Sequence, residues 1–370
     1  MPNNNFFERG FDDKTSIKLG LYESYLTEFL GVWVASSFGE RAPKEIDIYD
    51  FFAGPGVDGE GVPGSPMVAY EVIAKYADRL AASGQRIRLW LSDIEKGRVA
   101  SLRSLFSNRS EWPSNTSIEI HEMDFRDALN ANQARLGKIP ALIFADQFGV
   151  KYITPDIFQK LVALKATDLI FFISSWTLNR FSDHENIKKY HQGIGDHLKD
   201  TKAEHVHRKV KDYYQSLVPN GREYHLAPFS MKKGANVHGI IFGTSHIAGM
   251  RKFLNVAWKI DTDRGEADFD IDDDRLIDDS HQLDMLGDDR APKKVELFQE
   301  ELRDAILSGR LGSDKAVHEF SIYSGFRPTE HARPVVDQLR KDGLLVVNGG
   351  RIRLGDACCK SPRRFIVTEQ

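Results

Sequence analysis

The sequence contains little cysteine and no long hydrophobic run. Its 370 residues include two cysteines, and these are adjacent, Cys358 and Cys359. Adjacent cysteines are poorly placed for a structural disulfide and supply too few of the roughly four ligands that zinc needs, so we expect neither. No apolar segment approaches the roughly 20 residues that cross a membrane, and the first residues lack the basic-then-apolar layout of a signal peptide. These absences predict a cytoplasmic protein with no membrane partner.

A large net charge is also lacking. Lys and Arg number 50 against 54 Asp and Glu, so the formal net charge is -4. Residues 291–370 carry 14 basic against 11 acidic residues, whereas residues 261–289 include thirteen acidic ones. We interpret 261–289 as a solvated acidic loop and expect no metal there, because it lacks the spacing of an EF-hand calcium loop. The overall charge neither favours nor excludes a nucleic-acid partner.

Short apolar runs alternate with amphipathic segments over the first half of the chain. Strands are predicted at residues 45–52, 86–91, 117–121, 141–145 and 169–173. Helices are predicted at residues 15–38, 65–80, 94–106, 126–136, 155–165 and 247–258. Strands that alternate with helices form parallel sheets, and continuous apolar strands are typical of sheets buried on both faces. With an antiparallel hairpin at 223–231 and 237–244, the pattern predicts an α/β fold with a mixed seven-stranded sheet.

We place a domain boundary at residue 290. Residues 1–290 would form the α/β domain, with a helical insertion at about 183–221. The five histidines of this insertion are interpreted as lying on solvated helices. They are His184, His191, His197, His205 and His207.

Residues 291–370 would form a second domain. Helices are predicted at 292–308, 313–323 and 329–342, and strands at 344–347 and 351–354. The two strands flank Asn348-Gly349-Gly350, a sequence that favours a hairpin turn. Three helices followed by a β-ribbon are typical of a winged helix-turn-helix.

The strongest motif is the segment Asp50-Phe51-Phe52-Ala53-Gly54-Pro55-Gly56, directly after the first strand. Glycines there let the backbone approach a ligand and expose N–H groups, although neither a P-loop nor a full dinucleotide fingerprint is present. Asp93 follows the second strand, where a carboxylate can accept both hydroxyls of a ribose. Asp124 follows the third strand and is placed for an adenine amino group. Because parallel strands end at one edge, the motifs together predict an adenosine-containing ligand.

The segment Asp50–Gly56 resembles motif I of class I S-adenosylmethionine (SAM)-dependent methyltransferases. Most of the chain is similar to the three-Cys-motif partner (TcmP) family. The similarity includes Gly64-Ser65-Pro66, the segment after the fourth strand and the predicted winged helix. The resemblance implies a Rossmann-like methyltransferase fold, SAM as cofactor, a bacterial or phage origin and a partner that resembles radical-SAM enzymes. The chain departs from the family at Gln147, where a proline is usual.

The resemblance and the strand ends together define a predicted cofactor site. Gly54 and Gly56 would approach the methionine part of the cofactor, Asp93 the ribose and Asp124 the adenine. The predicted cofactor-binding residues are Asp50, Phe52, Ala53, Gly54, Pro55, Gly56, Ser65, Asp93, Ile94, Asp124, Phe125 and Asp146.

The predicted catalytic residues are Asp146, Gln147 and Phe148, which follow the fourth strand. Asp146 is the candidate general base, and its alternatives are a structural cap or a ligand to the amino group of the cofactor. Gln147 would hydrogen-bond the acceptor, and Phe148 would stack on a base. No cysteine follows the fourth strand, so covalent methylation of cytosine C5 is not supported.

Two groups of residues are candidates for nucleic-acid contact. Trp176 and Arg180 follow the fifth strand and would contact a base or a phosphate, with core packing as the alternative for Trp176. Basic residues of the predicted winged helix would neutralise phosphates, although acidic residues share its third helix and winged helices also contact proteins. They are Arg333, Arg340, Lys341, Arg351 and Arg353.

The leading hypothesis is SAM-dependent methyl transfer to a nucleic acid. One alternative is a catalytically degenerate partner or adaptor of a radical-SAM-like enzyme, which Gln147 favours. An NAD-dependent oxidoreductase is a second alternative, although the glycine pattern differs from the dinucleotide fingerprint. A third is a DNA-binding regulator that acts through the winged helix. The sequence leaves the acceptor and the oligomeric state open.

Overall fold

The computed structural model describes residues 13–34, 42–108, 113–147, 149–182, 184–234, 236–275 and 293–368. The chain divides into two compact units, of which the first ends at Lys252 and the second begins at Phe253. This division lies well before residue 290. The predicted boundary itself stays a prediction, because residues 276–292 lie outside the described residues. Within the described ranges, none of the helices is long and apolar enough to cross a membrane.

The first unit is built on a seven-stranded sheet. The strands are β1 (Glu45–Asp50), β2 (Arg86–Asp93), β3 (Thr116–Glu122), β4 (Ala141–Ala145), β5 (Thr167–Ile173), β6 (His225–Lys233) and β7 (Asn236–Thr244). Their order across the sheet is β3-β2-β1-β4-β5-β7-β6. Strands β1 to β5 pair in parallel, and β7 runs antiparallel to both β5 and β6. This confirms the predicted Rossmann-like, mixed seven-stranded sheet.

Helices cover both faces of this sheet. They are α1 (Asp13–Trp33), α2 (Ser65–Ala74), α3 (Ala77–Ser83), α4 (Lys96–Ser107), α5 (Phe125–Ala131), α6 (Pro155–Val162), α7 (Ser175–Arg180), α8 (Glu185–Tyr190), α9 (Ile194–Leu198) and α10 (Val206–Ser216). The next helix, α11 (Ile247–Ile260), includes the division between the two units. Successive residues of a strand point to opposite faces. In β4, Ile143 packs in a cluster with residues of α5, α6 and α10, whereas Phe144 stacks on Tyr22 of α1, with ring centroids 4.2 Å apart.

The insertion between β5 and β6 is helical, as predicted, but two of its histidines are buried. The His207 Nε2–H donates to the Ile240 carbonyl at 2.9 Å, so its Nδ1 accepts from the Ser175 hydroxyl at 2.7 Å. Burial lowers the pKa of His207 to about 4. His191 is also fully buried, beside the Val150 carbonyl. The expectation of solvated helices was wrong for these two, because the insertion contributes its apolar face to the core.

The second unit contains three longer helices and a two-stranded ribbon. Its elements are α12 (Lys294–Leu307), α13 (Asp314–Tyr323), one π-helical turn (Pro328–Ala332), α14 (Arg333–Lys341), β8 (Leu345–Val347), α15 (Ala357–Lys360) and β9 (Phe365–Val367). β8 pairs with β9 and not with a strand at 351–354, so that predicted strand was wrong. Ile352 and Leu354 are buried in the core, and the chain forms α15 before it returns to β8. The winged-helix assignment stays a prediction.

The acidic stretch predicted as a solvated loop is described as far as residue 275. Asp261 and Asp274 in it are buried. Asp261 accepts hydrogen bonds from four backbone N–H groups between residues 263 and 267. Asp274 pairs with the Arg264 guanidinium at 2.8 and 2.9 Å. The prediction of a fully solvated loop was therefore wrong for this part of the stretch, because these carboxylates organise the backbone around them.

The first prediction concerns two tyrosines of α1. The Tyr25 hydroxyl donates to the half-buried Asp168 at 2.6 Å, whereas the Tyr22 hydroxyl is buried and makes no hydrogen bond with any described group. We expect Tyr25→Phe to lower the free energy of unfolding by about 1–2 kcal/mol, because it leaves an oxygen of a half-buried carboxylate without its donor. Tyr22→Phe, the matched control, should leave it unchanged or raise it. Denaturant unfolding of both variants measures the difference, and equal losses would contradict this account of how α1 is held.

Candidate functional site

Three carboxyl groups lie at the carboxyl edge of the parallel strands. Asp50 ends β1, Asp93 ends β2 and Asp146 directly follows β4. Asp50 is 0% exposed, Asp93 is buried and Asp146 is partly buried. The negative charges of Asp146 and Asp93 both act on Asp50. The structure therefore brings together three acidic residues that the sequence places at three separate strand ends.

Asp50 is the most strongly perturbed of the three. Burial, followed by the neighbouring carboxylates, raises its pKa to about 7, although the Ser65 hydroxyl and the Phe52 amide oppose the shift. The Phe52 N–H donates to Oδ1 at 3.1 Å, while Oδ2 is buried and lies outside hydrogen-bonding geometry with any described group. The Tyr22 hydroxyl is likewise unpartnered, and burial together with the charge of Asp50 raises its pKa. Neighbouring unpaired polar groups of this kind suit a ligand that donates hydrogen bonds or carries positive charge.

Asp93 is held in place by the loop that follows β1. Its Oδ2 accepts from the Gly54 N–H at 3.0 Å and its Oδ1 from the Glu95 N–H at 2.9 Å, with the Arg98 guanidinium 3.7 Å from Oδ1. The expectation that Gly54 offers its N–H to a ligand was wrong, because this group orients Asp93. A carboxylate has about four lone-pair positions, so Asp93 can accept further hydrogen bonds.

The glycine at position 56 is required by packing. Its φ is +91°, and a Cβ there would lie 2.6 Å from Leu105 and 2.8 Å from Leu102, both on α4. Ala53, earlier in the same turn, donates its N–H to the Ser92 carbonyl at 2.9 Å. The half-buried Pro55 lies between Gly54 and Gly56. The turn is thus built to place β1 against β2 and α4, which is a role additional to the predicted contact with the methionine part of a cofactor.

A crevice opens beside Asp93, between the ends of β1, β2 and β3. It is lined by Phe51, Phe52, Asp93, Ile94, Arg98, Met123, Asp124, Phe125 and Tyr152. Ile94 is 58% exposed, so an apolar side chain is presented there instead of being packed. Asp124 caps α5 by accepting from the Arg126 N–H at 2.8 Å. Carboxylates beside apolar and aromatic faces are suited to a flat ring with an amino group and a sugar.

Asp146, the candidate base, forms an ion pair with Lys18 of α1. The Lys18 side chain is buried except for about a tenth of its surface, and its ammonium lies 5.1 Å from the centre of the Phe172 ring. One oxygen of Asp146 is therefore occupied by a cation. Lys18 was not predicted, because no motif marks it and it precedes Asp146 by 128 residues.

Gln147 supports the loop that follows β4. The residue is 1% exposed, and its Oε1 accepts from the Tyr152 N–H at 3.0 Å and the Ile153 N–H at 3.2 Å. These two bonds fix the loop, as a proline would by its ring, and they give Gln147 a supporting role instead of the predicted contact with an acceptor. Its Nε2 is buried with no partner among the described groups. Phe148, the third predicted catalytic residue, lies outside the described residues.

Helix α7 follows β5 and carries both residues predicted there for acceptor contact. The Arg180 guanidinium lies 5.0 Å from the centre of the Trp176 ring and 5.5 Å from that of Phe181. Arg180 is exposed, Phe181 is 40% exposed and Trp176 is half-buried. The three residues form an accessible surface of one cation and two aromatic rings, which we call the α7 surface.

The five basic residues of the predicted winged helix belong to the second unit. Arg333 begins α14, and Arg340 and Lys341 lie in its last turn. Arg340, Lys341 and Arg351 are exposed, whereas Arg333 and Arg353 are half-buried. Their contact with nucleic acid stays a prediction.

Neither the family models nor the curated proteins match this chain. The matches are with solved structures. The DszA carbon methyltransferase is 12% identical, with 63% of this chain and 55% of that chain covered and a TM-score of 0.36. Loganic acid methyltransferase with SAH is 11% identical, with 75% and 94% covered and a TM-score of 0.32. Magnesium protoporphyrin IX methyltransferase from Synechocystis is 11% identical, with 63% and 89% covered and a TM-score of 0.28. This chain thus spans about half the length of DszA, and the fold assignment rests on the strand order itself.

The second prediction follows from the raised pKa of Asp50. The ordinary pKa of an aspartate is 3.8. Between this pH and about pH 7 the folded protein keeps a proton on Asp50 that the unfolded chain has released, so the free energy of unfolding falls as pH rises through this window. The loss amounts to at most about 4 kcal/mol. Asp50→Asn removes this pH-dependent loss of stability. The free energy of unfolding of the variant relative to wild type should therefore increase from about pH 5 to about pH 8.

Denaturant unfolding across this pH range measures the effect, with Asp127→Asn, an exposed residue of α5, as the control. The control should follow wild type at every pH. A difference between Asp50→Asn and wild type that does not change with pH would contradict the protonated, buried state of Asp50.

Proposed function

We propose that the first unit binds SAM and transfers its methyl group. The observation that carries this proposal is the crevice at the ends of β1, β2 and β3. There Asp93, Ile94 and Asp124 meet, and Asp93 acts on the nearby Asp50, whose Oδ2 has no partner among the described groups. In open α/β sheets, ligands bind outside the carboxyl ends of the strands, at the point where the strand order reverses. Here that point lies between β1 and β4, so it adjoins Asp50, the residue that ends β1.

The residues of the crevice fit this cofactor group by group. The remaining lone pairs of Asp93 would accept from the ribose hydroxyls, and Asp124 would accept from the adenine amino group. Ile94 and Phe125 offer apolar surface to the adenine ring. The buried carboxyl of Asp50 would lie at the positively charged methionine end, since a nearby cation favours its ionised form.

Methyl transfer makes modest demands on the protein. When bound, SAM supplies a methyl group that is already activated on a sulfonium. The chain would therefore contribute alignment of the acceptor and, where needed, a proton acceptor. We assign that role to Asp146, whose side chain is oriented by its ion pair with Lys18.

A nucleic acid is the acceptor class that we propose. The α7 surface supports this choice, because stacking on aromatic rings combined with an arginine is how proteins hold unpaired bases and their phosphates. The basic residues of the second unit would add phosphate contacts if that unit is a winged helix.

A second candidate is a SAM-binding protein without transferase activity, acting as the partner of another enzyme. The ion pair between Lys18 and Asp146 favours it, because the pair occupies an oxygen that would take the proton. The radical-SAM-like partner implied by the family resemblance, and a DNA-binding regulator that acts through the second unit, stay predictions without support from a contact.

The third prediction tests cofactor binding by calorimetric titration with SAM and with NAD. Wild type should bind SAM with a micromolar Kd and show no comparable binding of NAD. Asp93→Ala should abolish SAM binding. Asp124→Ser keeps a residue that can cap α5 and should raise the Kd at least about tenfold, since it removes a charged acceptor. The matched variant Asp127→Ser, in the same turn but exposed, should bind as wild type does, and failure of wild type to bind SAM would sink the proposal.

The fourth prediction concerns the acceptor. Arg180→Gln should raise the KM for the tRNA or DNA that accepts the methyl group about tenfold and reduce the dependence of this KM on salt, while the Kd for SAM stays unchanged. Lys209→Gln, an exposed lysine of α10, is the control and should change neither value. Transfer of labelled methyl groups measures both effects. Tight SAM binding with no transfer to any tRNA or DNA would contradict the proposed acceptor and favour the non-catalytic candidate.

A further inference from the structure

The two cysteines of the chain lie beside a histidine in the second unit. Cys358 and Cys359 belong to the short helix α15, and His318 lies on α13. Their two Sγ atoms and one ring nitrogen of His318 all lie within 4.8 Å of one another. His318 and Cys358 are fully buried, Cys359 is half-buried, and both cysteines are free thiols. Among the described residues, this is the one group of three or more His, Cys, Asp or Glu side chains close enough to share a metal ion.

The orientation of His318 suits a metal ligand. Its Nδ1 lies 3.1 Å from the Leu354 carbonyl oxygen, and because a carbonyl accepts hydrogen bonds, Nδ1 must carry the proton. The lone pair of the neutral ring is then on Nε2. Histidines that bind metals are commonly held in this way, by a hydrogen bond from the other ring nitrogen to a carbonyl or carboxylate.

A buried carboxylate lies one helical turn before the histidine. Asp314 precedes His318 by four residues on α13, so the two side chains share a face of the helix. Asp314 is fully buried and accepts from the backbone N–H groups of Arg353 and Arg363, at 3.4 and 2.8 Å. Its negative charge acts on Cys358, which favours a bound cation there.

We propose that His318, Cys358 and Cys359 bind one Zn²⁺ ion. Thiolate sulfur and imidazole nitrogen are the ligands that zinc prefers, and three protein ligands leave one tetrahedral position for a water molecule. Binding releases one proton from each thiol, so the ion replaces two protons. The site joins α13 to the helix between β8 and β9, and it therefore holds the ribbon of the second unit to its helices.

The experiment titrates the full chain with Co²⁺, a spectroscopic substitute for zinc, after removal of metal with a chelator and in the presence of a non-thiol reductant. Absorption from Co²⁺–thiolate bonds must come from Cys358 and Cys359, because the chain has no other cysteine. This absorption should saturate at one Co²⁺ per chain and disappear when Zn²⁺ is added. Absence of thiolate absorption at saturating Co²⁺ would overturn the proposal.

Variants identify the ligands. Cys359→Ser should remove about half of the thiolate absorption, and His318→Gln should weaken Co²⁺ binding at least about tenfold. His184→Gln, an exposed histidine of the first unit, is the matched control and should leave both unchanged. Unchanged affinity in a folded His318→Gln variant would overturn the ligand set.

Thermal unfolding keeps the test decisive if His318→Gln fails to fold. Zn²⁺ should raise the unfolding midpoint of wild type, because it binds the folded state, and should leave that of Cys359→Ser nearly unchanged. Equal stabilisation of the two proteins would place the bound zinc elsewhere and contradict the proposal.

Discussion

Burial of Asp50, together with the weaker repulsion from two neighbouring carboxyl groups at the same sheet edge, is the constraint on which the candidate site depends. Asp146 is neutralised by Lys18, and Asp93 is satisfied by two backbone N–H groups and faces the Arg98 guanidinium. Asp50 has no cationic neighbour of this kind and a single backbone donor, the Phe52 N–H, so burial and the neighbouring carboxylates raise its pKa to about 7. A cation placed near Asp50 would relieve this repulsion, which is why the proposed cofactor, with its charged methionine end, fits the edge.

The same edge explains what could be predicted from the sequence. Short apolar runs followed by Asp50, Asp93 and Asp124 predicted both the strands and the residues at their carboxyl ends, because the ends of parallel strands converge whatever helices connect them. Contacts between residues that are far apart in the sequence leave no such pattern in it. Lys18 reaches Asp146 because α1 docks on the sheet, and the hydrogen bond from Gly54 to Asp93 depends on how the loop after β1 folds back.

The errors in the second unit and the insertion have a similar origin. The strand expected at 351–354 has an apolar pattern that suits a ribbon, but Ile352 and Leu354 are used in the core and β9 pairs with β8 instead. The apolar residues of the insertion have helical spacing, and His207 lies on the same helix face. This spacing is the sequence signal that indicates the burial of His207. The proposed zinc site likewise has no sequence signal, because the fold brings His318 to the adjacent cysteines from about forty residues earlier.

The central claim is that SAM occupies the crevice at the ends of β1, β2 and β3. A crystal structure of the protein with S-adenosylhomocysteine tests it most directly. We expect the ribose hydroxyls to lie on Asp93, the adenine to lie against Ile94 with its amino group at Asp124, and the amino acid end to point toward Asp50. Density for the ligand in another part of the first unit, or none at saturating concentration, would contradict it.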